Sequence, residues 1–232
     1  MSKLPIYAHR GYAKSARGNS LEAMKDAMNH YATGIEFDLQ LTKDRVAVVT
    51  HDLNLKSLTG KSIDTNEVTL NDLRKMKLKG DSNPILTFSE LLDWVVPNGI
   101  PMNIELKESF QGKEDDIEII VKKTKNLTNI HFSSFHEDVL YSIKKMNANA
   151  EVAFIPTRKF DWEQLSDMPW LDTLHVNKRF YYKDRYLQKA SETNKSIRVY
   201  GVVGNEKYLA NPHESVVGWI TDEPERIADA QI

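Results

Sequence analysis

The 232-residue chain contains no cysteine. That excludes disulfides, thiolate metal sites and a cysteine nucleophile. It also lacks any run of about 18 apolar residues, so no segment reads as a membrane span. Neither sign of charge dominates: 31 Lys and Arg stand against 33 Asp and Glu, a formal net charge of −2. There is thus no global basic field for nucleic acid. The N-terminal MSKLPIYAHRG runs directly into a strand pattern, without an apolar stretch and small-residue cleavage site. No signal peptide is expected, and the expected location is the cytoplasm. Internal repeats and low-complexity linkers are absent, and no Gly-x-Gly-x-x-Gly follows the first strand, which disfavours a dinucleotide-binding open sheet.

What is present is an alternation of short apolar runs and amphipathic segments. Strands are predicted at Leu4–Ala8, at Gly34–Gln40 with a short return at Val46–Thr50, and at Pro101–Leu106. Five more follow at Ile130–Ser133, Glu151–Phe154, Thr173–Val176, Ile197–Val202 and Val217–Ile220. Helices fall between them, including Ser20–Tyr31 behind an Asn19-x-x-Glu22 capping box, Asp161–Leu165 and Glu206–Ala210. Eight strands each followed by a helix predict one domain over residues 1–232, a single (β/α)8 TIM barrel. Residues 53–86 carry no barrel rhythm and read as a small insertion or cap after the second strand.

In a parallel barrel the active site lies at the carboxyl ends of the strands. His9 and Arg10 fall just after the first strand. Glu36 and Asp38, two apart, share one face of the second, while Ile35, Phe37 and Leu39 take the other. His51 follows the return, and Glu105 and Lys107 share a face at the end of the third strand, in NIELK. Buried carboxylates on an apolar strand need a cation or a donor. An all-oxygen set of Glu36, Asp38 and Glu105 suits Mg2+ or Ca2+. Arg10 and Lys107 offer cationic donors for an anionic group, and the imidazoles of His9 and His51 are the side chains suited to act as base and acid near neutral pH.

His9-Arg10-Gly11, GIEFDLQLTKD, VVTHD and NIELK, in that order, resemble the signature of the glycerophosphodiester phosphodiesterase family, within the phosphatidylinositol-phospholipase-C-like barrels. SSF at Ser133–Phe135, VYGVVGN at Val199–Asn205 and GWITDEP at Gly218–Pro224 resemble its C-terminal strand ends. The resemblance implies hydrolysis of small glycerophosphodiesters to glycerol 3-phosphate and an alcohol. It also implies a route in which a glycerol hydroxyl attacks phosphorus and water opens the resulting cyclic phosphate. The alternatives are a lysophospholipase-D-type activity, which would need an apolar groove from residues 53–86, and a silent glycerophosphoryl-binding barrel. One departure stands out. Where the family usually shows Pro-Glu-Asn-Thr, this chain has Arg17-Gly18-Asn19-Ser20, and an acid has become Gly18. Tyr200, where the family often has Trp, is expected at the rim or lining the glycerol pocket.

The remaining polar residues get plainer readings. His30, His131, His136, His175 and His213 read as solvated loop residues, and Lys122, Lys123 and Lys125 as a solvated helix face. Asp52 is expected to orient His51 or cap the loop, Asp222 to cap the last helix, and Phe135 to pack at the rim.

Overall fold

The computed structural model describes residues 3–231. Its centre is β2 (Gly34–Leu41), buried at every position. Parallel strands covered on both sides read as nearly continuous apolar runs, and β2 departs from that only at Glu36, Asp38 and Gln40, the face turned into the barrel. β1 (Ile6–His9) pairs with β2 on one side, and β4 (Met102–Leu106) on the other. β5 (Ile130–Ser134), β6 (Val152–Phe154), β7 (Thr173–Asn177), β8 (Ser196–Tyr200) and β9 (Val216–Thr221) continue in parallel order. β9 returns to pair with β1, which closes the ring. β3 (Ala47–Val49) is the expected return, antiparallel to the end of β2 with Leu39 opposite Val49.

Helices α1 (Leu21–Asn29), α4 (Phe88–Asn98), α5 (Glu114–Thr124), α6 (Glu137–Met146), α8 (Asp184–Glu192) and α9 (Pro224–Ala230) are the longer ones around the sheet. Their buried apolar side chains, Ala and Met in α1 and mostly Leu, Ile and Val in the others, meet the outward faces of the strands in one large core. The last turn of α4 tolerates Pro97, and Gly99, in the left-handed region at φ 61°, stops it. Two expected helices are single 3-10 segments instead, Trp162–Asp167 and Lys207–Leu209. A four-residue helix not foreseen, α7 (Lys178–Tyr181), starts directly after β7 with Asn177 as its cap.

Residues 53–86 form a lip beside the barrel mouth with a small core of its own. It carries α2 (Lys56–Thr59) and α3 (Leu70–Arg74). Leu55, Val68, Leu73, Leu78 and Ile85 gather against Val48 of β3. Arg17 Nε reaches Asp81 Oδ2 at 3.1 Å and ties this lip to the loop after β1.

The expected Asn19-x-x-Glu22 capping box does not form. The cap of α1 is Ser20, whose hydroxyl accepts from the Ala23 amide. Asn19 sits at φ 61° and points away, into the barrel mouth. Position 19 is spent on the site, so the cap moves one residue on.

Candidate active site

Parallel register brings Glu105 opposite Asp38, and β1 sets His9 opposite Glu36. Glu36, Asp38 and Glu105 are all buried, and each offers a carboxylate oxygen within 4.8 Å of the others. Burial first, and then repulsion from Asp38, pushes Glu36 up to about 8 and Glu105 up to about 7. The protein supplies partial compensation. The Arg10 amide donates to Glu36 Oε2 at 2.9 Å, and Arg10 Nε lies 3.2 Å from Asp38 Oδ2. Lys107 Nζ lies 2.6 Å from Glu105 Oε1 and 3.6 Å from Asp38 Oδ1. Asn19 Nδ2 donates to Asp38 Oδ2 at 2.8 Å. Crowded buried carboxylates whose protons are held so tightly suit a hard divalent cation, which would replace the protons and remove the repulsion.

The His9-Arg10-Gly11 turn is set by backbone geometry. Arg10 and Gly11 both lie at positive φ, 57° and 78°. A Cβ on Gly11 would come within 2.5 Å of the Ala23 carbonyl carbon in α1. Only glycine fits that close approach, and the turn aims the Arg10 amide at Glu36.

Each histidine has its own carboxylate. His9 Nδ1 lies 2.8 Å from Asp222 Oδ1, and His51 Nδ1 lies 2.6 Å from Asp52 Oδ1. The Ser57 hydroxyl donates to the other oxygen of Asp52 at 2.6 Å, and Gln40 Nε2 donates to the His51 carbonyl at 3.1 Å. Burial works against a charged His9 ring, but the Asp222 hydrogen bond and the field of Glu36 outweigh it, and the net shift is upward. Asp222 is held low by the same hydrogen bond, and Asp52 by the Ser57 hydroxyl and then by His51. With Nδ1 engaged, each ring keeps Nε2 as its other proton-exchanging nitrogen.

A cavity of about 300 Å3 collects these groups. His9, Arg10, Glu36, His51, Glu105 and Lys107 line it. Phe135, Ile155, Tyr200 and Ile220 add an apolar side. Tyr200 is therefore a lining residue, and burial raises its phenol. Phe135 is 40% exposed at the mouth, with Lys107 Nζ 5.3 Å from its ring centre. The remaining metal candidate, Asp38, stands behind Arg10 and Lys107.

Several residues behave differently from the sequence reading. Asp222 does not cap α9; Glu223 holds that position, and Asp222 turns to His9 instead. His131 and His175 are not solvated. Both are buried inside the barrel beneath the acids, ring centres 5.2 Å apart and edge to face. Burial first, and then Arg198, drives both well below the usual imidazole range, so they are neutral. His175 also lines the cavity floor, with Asn103 Nδ2 3.5 Å from its Nδ1. Asn19 and Gln40 were also missed. Gln40 continues the Glu36–Asp38 face by the period of two, so that signal was available. Asp222, in GWITDEP just past the last predicted strand, was placed at the rim by the strand-end rule, but nothing local linked it to His9, 213 residues away.

Residues 9–226 match the model of the glycerophosphoryl diester phosphodiesterase family. The chain belongs to that family. It is accordingly a phosphodiesterase of the glycerophosphodiester class. A glycerophosphodiester phosphodiesterase of Caldanaerobacter subterraneus is 29% identical over 164 residues, which span 66% of this chain and 67% of that protein. A human lysophospholipase D is 27% identical over 176 residues, 71% of this chain and 54% of the relative. The fold matches that of an Oleispira antarctica phosphodiesterase in complex with the product sn-glycerol-3-phosphate. The TM-score is 0.81 at 23% identity, covering 98% of this chain and 96% of that one.

Proposed function

We propose that the protein hydrolyses small glycerophosphodiesters to sn-glycerol 3-phosphate and an alcohol, with Mg2+ or Ca2+ bound by Glu36, Asp38 and Glu105. The observation that carries this reading is a cluster of three crowded carboxylates, two of which, Glu36 and Glu105, line one cavity together with two imidazoles, each met at Nδ1 by its own aspartate. The bound cation would polarise a phosphoryl oxygen and offset the charge that develops there. Arg10 and Lys107 bind the phosphodiester, and Tyr200 closes the glycerol side. His9 takes the proton of a glycerol hydroxyl as its oxygen forms a bond to phosphorus. His51 gives a proton to the alcohol oxygen as its bond to phosphorus breaks. In the second step the roles exchange: His51 deprotonates water and His9 returns the proton to the glycerol oxygen, which opens the cyclic phosphate. Asp52 and Asp222 act as positioning residues.

A substrate that keeps an acyl chain would need an apolar groove. Most apolar side chains of residues 53–86 are turned inward to pack on one another and on Val48. That favours small polar alcohols over lysophospholipids. The test is release of glycerol 3-phosphate from a panel of glycerophosphodiesters, with EDTA and then with single metals added back. Release that EDTA abolishes and Mg2+ or Ca2+ restores is the expected result. Binding without release would identify a silent glycerophosphoryl-binding barrel instead.

A further inference from the structure

A phosphodiester has two arms, and the molecule has two cavities that meet at the histidines. The second, about 480 Å3, shares His9, Arg10, His51 and Asp222 with the first as a common wall. On its far side it is lined by Ala13, Arg17, Gly18, Ser57, Leu58 and Lys79. Displacement at phosphorus places the attacking and departing oxygens roughly in line. With the attacking hydroxyl on the side of the acidic cluster, the departing alcohol is directed across the wall into this second cavity.

Gly18 opens it. A Cβ there would stand 3.4 Å from Arg10 Cβ and 3.6 Å from Ala13 Cβ, so a side chain would fit and would occupy the space. The lining is rich in donors. Arg17 has Nε on Asp81 and Nη1 on the Gly18 carbonyl, both at 3.1 Å, while its Nη2 has no partner among the described residues. Lys79 Nζ makes one long bond, 3.4 Å to the Lys56 carbonyl. Asp52 accepts from His51 and Ser57, Asp222 holds His9 and Asp81 pairs with Arg17, which leaves Lys79 as the lining cation without a carboxylate partner among the described residues.

Resting on the phosphodiesterase reading above, we infer that this cavity is a leaving-group subsite for alcohols that carry a second anionic group, such as a further phosphodiester. The test compares two substrates with Mg2+ fixed and at low salt. Bis(glycerophospho)glycerol leaves an alcohol with a second phosphate, and glycerophosphoglycerol leaves plain glycerol. The wild-type kcat/KM is expected to favour the former by roughly tenfold, and the ratio to fall as salt screens it. Lys79→Glu and Gly18→Glu bring the ratio to about one. Lys79→Glu, in the lip and away from the reacting atoms, leaves glycerophosphoglycerol turnover within about twofold. Equal wild-type ratios, or a ratio that Lys79→Glu leaves unchanged, overturn the subsite while leaving the phosphodiesterase intact. Hydrolysis of neither substrate overturns both.

Discussion

At the scale of single residues, each of the two histidines in the proposed mechanism has a carboxylate of its own at Nδ1. Asp222 raises the proton affinity of His9, so Asp222→Asn should move the His9 limb of the kcat/KM–pH profile to lower pH. Activity should drop roughly 10- to 100-fold. A merely structural Asp222 would lower activity without moving the limb. His9→Ala and His51→Ala should each lower kcat by about 10^2–10^4-fold with the circular dichroism spectrum unchanged. Wild-type turnover in either variant removes that ring from the mechanism. Much of this site was legible. Residues two apart on a strand share a face, and barrel strands end at one rim, so Glu36, Asp38, Glu105 and Lys107 could be brought together from spacing. The partners of His9 and Asp38 could not. Asp222 and Asn19 reach them through chain closure and a left-handed residue, which no local pattern announces.

At the scale of elements, the ends of β1 and β3 hold His9 and His51, the proposed acid–base pair, and depend on tight contacts with neighbours. Gly11→Ala would force a Cβ into the backbone of α1 at a positive φ. A loss of more than about 2 kcal/mol in denaturant stability is expected, with the HRG turn displaced. Leu73 is fully buried in the small core of the lip. Leu73→Ala should cost about 2–4 kcal/mol locally and loosen Ser57, raising KM more than it lowers kcat. Steady-state kinetics alongside limited proteolysis near residues 53–86 would show it. The lip itself was visible in the sequence only as a lapse in rhythm. Its apolar residues are spaced irregularly because they fold onto each other instead of onto a strand. His131 and His175 were misread for a related reason: in short strands an alternate residue faces either helices or barrel lumen, and register decides which.

At the scale of the whole molecule, the acidic cluster links folding, pH and metal. Glu36 and Glu105 hold their protons to about 8 and about 7 in the fold, against an unfolded value near 4.5. Between those limits the native state binds more protons than the unfolded chain. Stability therefore falls as pH rises through that window. Melting of EDTA-treated protein should show Tm declining from about pH 5 to about pH 8, then levelling. Saturating Mg2+ or Ca2+ binds the ionised acids, so it should raise Tm most at the alkaline end and flatten the slope. A Tm that rises across the same range without metal would contradict the buried acidic cluster.

The ring is sealed where β9 joins β1, and that seam also unites His9 with Asp222. A ring left open at this seam keeps the imidazole but loses the carboxylate that orients it. Under the proposed mechanism, sealing the barrel and setting the His9 proton are therefore one structural event.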